Sequence, residues 1–303
     1  MLKKGKIGMK HINKMEQEQF DLNESYKQSL RNKKERDNKG PLDSFSDDLK
    51  NSIKKNKKDP IHNKIIGIVD GDVLIYRACH RSIKDNLNIK KTFDDIYEEV
   101  KINTACDEYS LHVSGGGNFR KELQQEFLKY KGKRRDKPDN YLECRNYVIK
   151  KYNPIMVTNY EADDTASIEA FKYIKKNQLY MLITVDKDWK TIGGLFYNLL
   201  HNNLSAVSTI DGIEFFHQQL LTGDTVDNIP GIEGIGPIKA NKILKDKDLK
   251  SQFESIIKAY KTHYPDDFIS RLNVMGTMLY LIKDFKDHSK WSIEYWKGYI
   301  NGI

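Results

Sequence analysis

Short apolar runs that stop at acidic residues dominate the pattern of hydrophobic and polar positions beyond residue 63. Residues 65–69 form a β-branched run that ends at Asp70, and residues 181–185 form a second run that ends at Asp186. Runs of this length that are apolar throughout are typical of buried strands. We therefore predict two buried strands, each with an aspartate at its carboxyl end.

Weaker patterns lie between these two strands. Strand candidates at 110–113 and 154–157 alternate with helical stretches near 93–100 and 141–151, and a helix is expected directly after the first strand. This alternation predicts an α/β fold with a mostly parallel sheet that is covered on both faces. Such sheets bind ligands beyond the carboxyl ends of their strands, which is where both aspartates fall.

The pattern becomes mostly helical after about residue 202. Helical spacing of apolar residues is found at 214–221, 237–245, 249–260 and 271–285. This change predicts a core over residues 63–205 and a separate helical region over residues 206–303.

The first 62 residues carry most of the net charge. They contain 16 lysines and arginines against 10 acidic residues, a difference of +6 in a chain whose formal net charge is +8. Because they offer little apolar surface to offset the entropy cost of ordering, we predict a flexible basic extension, either disordered or with a loose helix around residues 15–36. A tether to nucleic acid and an inert extension are both open interpretations.

The three cysteines, Cys79, Cys106 and Cys144, are widely spaced and form no CxxC motif. This spacing supports neither a zinc site nor a disulfide framework, so a reducing, intracellular compartment is expected. No apolar run approaches the roughly 20 residues that span a bilayer, and the first residues lack the apolar core of a signal peptide. We expect a soluble protein without a membrane partner, in the cytoplasm or, for a viral protein, in the host cytoplasm.

Eight carboxylates stand out because they follow strands, begin a helix or lie in a glycine-containing loop. They are Asp70, Glu161, Asp163, Asp164, Asp186, Asp188, Asp224 and Asp227. Each has an ordinary alternative as a turn residue or helix cap. Together, and without a histidine or cysteine cluster, they form a set of hard oxygen donors that suits Mg²⁺ or Mn²⁺.

Mutual repulsion within such a set is relieved by divalent cations, and eight candidate donors favour two ions over one. Two divalent ions about 4 Å apart can activate water and stabilise both the attacking and the leaving oxygen in phosphodiester hydrolysis. We therefore predict a two-metal hydrolytic site that needs no Ser/His or Cys/His nucleophile.

A glycine-rich loop follows the last two aspartates. Gly231, Gly234 and Gly236 permit a tight backbone path, Pro237 suits the first position of a helix, and Lys239 falls in its first turn. Backbone N–H groups at such a helix start can bind a phosphate without reading a base. We favour a nucleic-acid contact over a simple connecting loop.

Residues 118–138 interleave basic and aromatic side chains. The basic ones are Arg120, Lys121, Lys129, Lys131, Lys133, Arg134, Arg135 and Lys137. Phe119, Phe127 and Tyr130 lie among them, a combination that suits base stacking together with phosphate contacts. A solvated helix face explains much of the same pattern, so both interpretations stay open.

In combination these motifs resemble the 5′-nuclease superfamily, which includes flap endonucleases, the nuclease domain of bacterial DNA polymerase I and bacteriophage 5′→3′ exonucleases. The resemblance covers about residues 64–245. "VDGDVLIYRA", "EADD" and "TVDKDWKTI" are similar to successive acidic motifs of the family, and "GDTVDNIPGIEGIGPIKA" to its last acidic pair and helix-three-turn-helix. "NFRKEL" and "KYKGKRR" are most similar to the bacteriophage branch.

The resemblance implies a PIN-like α/β nuclease core with a helical arch over residues 115–150, followed by a helix-three-turn-helix DNA-binding region. It implies that one metal ion is bound, directly or through water, by Asp70, Glu161, Asp163 and Asp164. It implies a second metal ion bound by Asp186, Asp188, Asp224 and Asp227.

The same resemblance assigns residues to the substrate. Lys131 and Arg134 match gateway residues that contact the scissile phosphate. The implied DNA contacts are Arg77, Arg120, Lys121, Gly231, Gly234, Gly236 and Lys239. The family's glycine-rich hairpin commonly holds K⁺ through backbone carbonyls, so a K⁺ ion is implied there as well.

One position departs from the family pattern. Many members have an aspartate at the end of their second strand, where this chain has Ser114 or Gly115. One metal contact is therefore expected to be absent or water-mediated.

The predicted function is metal-dependent hydrolysis of DNA at or near a 5′ end in replication or repair, with RNA in RNA–DNA hybrids as a further candidate substrate. Exonuclease and flap endonuclease action both fit the sequence. A catalytically impaired DNA-binding protein of the same fold is the alternative that Ser114 and Gly115 motivate, and an RNase of the wider PIN class is a third. No protein partner is identified.

Overall fold

The computed structural model describes residues 64–123, 128–132, 136–286 and 291–303. The predicted extension at 1–62 lies outside the described residues. So do Arg134, one of the two predicted gateway residues, and the neighbouring Phe127, Lys133 and Arg135.

Strands and helices alternate up to Val207, and helices predominate beyond it. In chain order the elements are β1 (Ile66–Asp70), α1 (Gly71–Asp85), α2 (Ile89–Thr104), β2 (Glu108–His112), α3 (Phe119–Glu122), α4 (Tyr141–Tyr152), α5 (Ala162–Lys175), β3 (Tyr180–Thr184), β4 (Gly194–Asn198), β5 (Asn203–Val207), α6 (Thr209–Thr222), β6 (Gly223–Asp224), β7 (Ile229–Pro230), α7 (Pro237–Leu244), α8 (Leu249–His263), α9 (Phe268–Leu279) and α10 (Ile293–Ile300). A 3₁₀ helix, Lys187–Ile192, connects β3 to β4.

The central sheet has the strand order β2-β1-β3-β4-β5. The first four strands are parallel and β5 runs antiparallel at one edge. Every residue of β1 and β3 is buried, as expected for central parallel strands that are covered on both sides. The mostly parallel sheet predicted from the sequence is confirmed, and β1 and β3 carry the predicted aspartates at one edge.

Helices cover both faces of the sheet. On one face α1, α2 and α4 pack Leu74, Phe93 and Val148 against the sheet. On the other face, α5 and the 3₁₀ helix bury Ala166 and Trp189 with strand residues.

A third apolar cluster belongs to the helices that follow the sheet. It is built around Phe216 and Leu220 on α6, Phe253 on α8 and Trp296 on α10. No helix among the described residues is both long and apolar enough to cross a bilayer.

A buried ion pair joins the start of α5 to the end of α9. Arg120 of α3 donates two hydrogen bonds to Asp164, at 2.7 and 2.8 Å, and two more to the carbonyls of Met278 and Tyr280. Both side chains are almost completely buried. Removing one partner of such a pair costs about 3–5 kcal/mol, because the other charge is then left uncompensated.

Several expectations about elements were wrong. Residues 154–157 form only an isolated bridge between Ile155 and His112 and no strand. The predicted helix at 271–285 ends at Leu279, since Tyr280 is extended and Arg120 takes the nearby carbonyls. The sequence pattern did not predict β4, β5 or α10, because tertiary packing rather than a long periodic run defines these short elements.

The loop between α6 and α7 has the tight path expected from its glycines. A Cβ on Gly231 would lie 2.2 Å from the carbonyl carbon of Thr222 and 2.4 Å from the carbonyl oxygen of Leu221. Gly234 adopts a φ of 74°, a conformation that favours glycine. Pro237 occupies the first turn of α7, as predicted.

We expect Gly231→Ala to destabilise the protein by on the order of 2 kcal/mol or more, because backbone atoms must move to admit the methyl group. Gly298→Ala on α10 is the matched control, since nothing lies within 4 Å of the added Cβ and alanine favours a helix. Urea denaturation of both variants measures the difference. Equal midpoints would contradict the tight approach at Gly231.

Candidate metal centre

Three short segments bring carboxylates to the carboxyl edge of the parallel strands. Asp70 ends β1, Asp186 follows the adjacent β3, and Asp163 lies in the first turn of α5. Asp163 is close enough to the other two that their negative charges contribute to its raised pKa. The fold therefore brings together acidic residues that lie more than 110 positions apart in the chain.

Helix starts orient these side chains. Asp70 caps α1 by accepting a hydrogen bond from the Val73 N–H, and Thr184 donates a second hydrogen bond of 2.7 Å to it. Asp186 caps the 3₁₀ helix through the Asp188 N–H at 2.8 Å. Asp70 and Asp186 therefore cap helices and still lie at the same edge of the sheet.

Burial and mutual repulsion raise the pKa values of four of the acidic groups. Burial, followed by the charge of Asp72, raises the pKa of Asp70 to about 7. Burial, followed by the charge of Asp186, raises the pKa of Asp188 to about 7. Burial is also the main cause of the raised pKa values of Asp163 and Asp186. The site holds more negative charge than its own cations neutralise.

Two lysines act as internal cations within the group. Lys131 contacts Glu161 and lies 3.3 Å from the carboxylate of Asp227. Lys187 bridges Asp224 at 2.7 Å and Asp188 at 3.1 Å. Each ammonium group therefore joins two carboxylates that come from different segments of the chain.

These cations explain the carboxylates whose pKa values are lowered. Burial alone would raise the pKa of Glu161, but Lys131 and Arg120 outweigh it and lower the value to about 2. For Asp224, burial is likewise outweighed by Lys187, and the pKa falls below its usual value. Tyr130 adds a hydrogen bond of 2.7 Å to Glu161.

The donor set fits hard divalent cations by its chemistry. Among the residues that the structure describes, no three acidic, imidazole or thiol groups already surround a common point as metal ligands. The ammonium groups of Lys131 and Lys187 nevertheless mark two positions where pairs of carboxylates accept a cation. Oxygen donors with excess negative charge suit Mg²⁺ or Mn²⁺ rather than a soft metal.

The predicted ligands do not all have equal access to such a cation. Asp164 is fully buried and engaged by Arg120 through both carboxylate oxygens. It also accepts a hydrogen bond from the Glu161 N–H at the start of α5. Its observed contacts orient the helix start, and its place among the metal ligands stays a prediction.

The predicted DNA contacts divide into buried and exposed positions. Arg120 is 2% exposed, so the predicted contact between Arg120 and DNA is wrong in this structure. Arg77 is partly buried and donates to the Leu199 carbonyl at 3.1 Å. Lys121 on α3 and Lys239 on α7 are exposed, which leaves their predicted DNA contacts sterically open.

Two residues at the site were not singled out in the sequence, and a third was given a different role. Lys187 lies between two of the predicted ligands in "DKD", a position that could have identified it as their counter-ion. Trp189 donates a 2.8 Å hydrogen bond from its indole N–H to Asp163. Tyr130 was considered for base stacking, but it is buried and binds Glu161. Long-range contacts of this kind leave no local pattern.

The chain combines an α/β sheet, acidic residues beyond its parallel strands and a glycine-rich loop before α7. No family profile matches the chain. It is 25% identical over 208 residues to a 5′-3′ exonuclease of Mycoplasmopsis pulmonis, a match that spans 62% of this chain and 69% of that protein. It is 29% identical over 211 residues to a 5′-3′ exonuclease of Aquifex aeolicus, which covers 60% and 69%.

Solved structures share the fold. The 5′-exonuclease of bacteriophage T5 with bound zinc ions superposes with a TM-score of 0.54 at 20% identity, covering 79% of this chain and 99% of that chain. With the sequence relatives, this similarity supports the resemblance to the 5′-nuclease superfamily that the motifs indicate. The PIN-like nuclease fold predicted from the motifs is confirmed.

The raised pKa of Asp70 generates a prediction about stability in the absence of divalent metal. Its value of about 7 in the folded protein exceeds the usual value of 3.8, so the folded state binds more protons between these limits. The stability that this group contributes is fully present below about pH 4 and is lost as the pH rises through about 7.

We expect the protein in EDTA to unfold at lower temperature at about pH 8 than at about pH 6. Asp70→Asn should stabilise it at pH 8 by on the order of 1–2 kcal/mol and reduce this pH dependence. Thermal unfolding monitored by circular dichroism measures both effects. Asp95→Asn removes an exposed carboxylate from α2 and serves as the control; an equal response of both variants would contradict the burial effect.

Proposed function

We propose that this protein is a divalent-metal-dependent 5′-nuclease that hydrolyses DNA phosphodiester bonds from or near a 5′ end, in replication or repair. The observation that carries the proposal is the group of buried acidic residues at the strand ends, whose charge exceeds that of Lys131 and Lys187. The names of the sequence relatives support the same activity.

We assign Asp70, Glu161 and Asp163, with Asp164 behind them, to one metal ion. We assign Asp186, Asp188, Asp224 and Asp227 to the other. Mg²⁺ or Mn²⁺, when bound, would activate water and stabilise charge on the phosphoryl oxygens. The carboxylates supply the negative charge of the site. Several of them are oriented by capping α1, α5 and the 3₁₀ helix.

The two lysines have a second role in this proposal. Their ammonium groups lie among the carboxylates, so they are near enough to offset negative charge on a phosphate brought to the same edge. Lys131 is largely buried and Lys187 is half-exposed. Arg134, three residues after Lys131, is assigned to the same phosphate on sequence resemblance alone.

The glycine-rich loop and α7 form the proposed DNA grip. Gly234, Gly236 and Lys239 are exposed at the N-terminal end of α7, where backbone N–H groups and a lysine suit a DNA phosphate. Bases are not read by such contacts, so recognition would depend on DNA structure. We also assign K⁺, through the loop carbonyls, to this hairpin.

Asp186→Asn is expected to reduce cleavage by at least about 100-fold, because it removes one negative charge from the proposed site while asparagine can retain the helix cap. Single-turnover cleavage of 5′-labelled DNA at saturating enzyme measures the loss. Asp95→Asn should keep full activity. Full activity of Asp186→Asn would overturn the two-metal assignment.

A substrate panel tests the reaction itself. We expect cleavage of blunt duplex, 5′-flap DNA or both in Mg²⁺ and in Mn²⁺, and none in EDTA. Mononucleotides or short oligonucleotides from the blunt end indicate exonuclease action, and cleavage only at the flap junction indicates flap endonuclease action. A matched RNA–DNA hybrid tests the additional substrate.

Tight binding of DNA without cleavage of any substrate would overturn the nuclease proposal. It would favour a DNA-binding protein that has lost catalysis. Preferential cleavage of single-stranded RNA would instead favour the RNase alternative.

A further inference from the structure

Asp72 is an acidic residue beside the proposed metal site that the motif assignments leave without a role. It lies in the first turn of α1, two residues after Asp70. Its Oδ2 accepts a hydrogen bond of 3.1 Å from the backbone N–H of Ser114, directly beyond the end of β2. This hydrogen bond links α1 to the segment that follows β2.

Ser114 ties this position to the rest of the site. Its hydroxyl oxygen accepts a 3.0 Å hydrogen bond from the Ala162 N–H. Ala162 is the first residue of α5, directly between the proposed ligands Glu161 and Asp163. Through Ser114, Asp72 is therefore linked to the start of α5. After burial, the charge of Asp72 is the next largest cause of the raised pKa of Asp70.

The other carboxylate oxygen of Asp72 is left unsatisfied. Its Oδ1 is buried and accepts no hydrogen bond. A buried carboxylate oxygen without a donor or cation costs free energy, so native proteins supply a partner for such a group. The oxygen belongs to a residue in the first turn of α1, the helix that the proposed ligand Asp70 caps.

Arg145 is the cation that competes for this role. It donates to the Ser114 carbonyl at 2.8 Å and to the sulfur of Met156. One of its guanidinium nitrogens is also buried without a partner, yet Arg145 and Asp72 form no hydrogen bond to each other. The guanidinium is held by the Ser114 carbonyl, whereas the Asp72 carboxylate is held by the Ser114 N–H.

We propose that Asp72 supplies a carboxylate oxygen to the divalent cation that Asp70 binds. This inference rests on the proposed function. In this arrangement Ser114 supplies no carboxylate itself. Its backbone N–H orients the carboxylate of Asp72 instead. The acidic residue reaches the site from α1 rather than from the end of β2.

Binding of Mn²⁺ to the full-length protein without DNA tests the assignment by isothermal titration calorimetry and electron paramagnetic resonance. Asp72→Asn keeps the size of the side chain and an acceptor for the Ser114 N–H. It should weaken Mn²⁺ binding at one site by about 10- to 100-fold, as expected for loss of a ligand or its support. Asp85→Asn, at the exposed end of the same helix, should bind Mn²⁺ as the unmodified protein does.

The apo protein separates this role from an ion pair. If Asp72 serves Arg145 instead, Asp72→Asn and Arg145→Gln will destabilise the metal-free protein non-additively and leave Mn²⁺ affinity unchanged, which overturns the inference. Asp72→Ser provides a second variant should the asparagine variant fold poorly.

Failure of the inference is distinguishable from failure of the proposed function. Equal Mn²⁺ affinity of Asp72→Asn and Asp85→Asn, with normal binding by the unmodified protein, overturns only the role of Asp72. Absence of Mn²⁺ binding by the unmodified protein overturns both.

Discussion

Repulsion among buried carboxylates is the constraint on which the rest of this site depends. Parallel strands bring Asp70 and Asp186 to one edge of the sheet, and α5 adds Asp163. Burial raises the pKa values of Asp163 and Asp186, and the charges of neighbouring carboxylates raise them further. The chain offsets only part of this charge, through Lys131 and Lys187, and the proposed binding of a cation rests on the remainder.

Arg120 connects the acidic edge of the sheet to the helices that follow it. Its two hydrogen bonds to Asp164 hold the start of α5, while its contacts to Met278 and Tyr280 reach the end of α9. The same buried guanidinium therefore links the acidic edge of the sheet to the helical region. The pair is desolvated, and both carboxylate oxygens of Asp164 accept hydrogen bonds from the guanidinium. A residue that resembles a DNA contact in the sequence is thus a structural connector.

The two bacterial exonucleases are 25% and 29% identical to this chain, and the T5 5′-exonuclease shares its fold. The hydrogen bonds that connect Asp72, Ser114 and Ala162 link α1, the segment after β2 and the start of α5.

Much of the architecture was determined by the sequence itself. The apolar runs before Asp70 and Asp186 predict β1 and β3, and the glycines with Pro237 predict the loop and the start of α7. These features depend on local backbone preferences and on burial of contiguous apolar residues, so they leave a readable pattern. The acidic positions could be identified for the same reason, since they directly follow those patterns.

Only the tertiary structure decided which charges meet. The sequence places Arg120 in a basic segment, whereas the fold buries it against Asp164. It places Lys187 between two aspartates but does not reveal that Asp224, 37 positions later, is its partner. Short strands such as β4 and β5 also depend on their neighbours. Electrostatic pairing and burial arise between segments distant in the chain, and therefore no local periodicity records them.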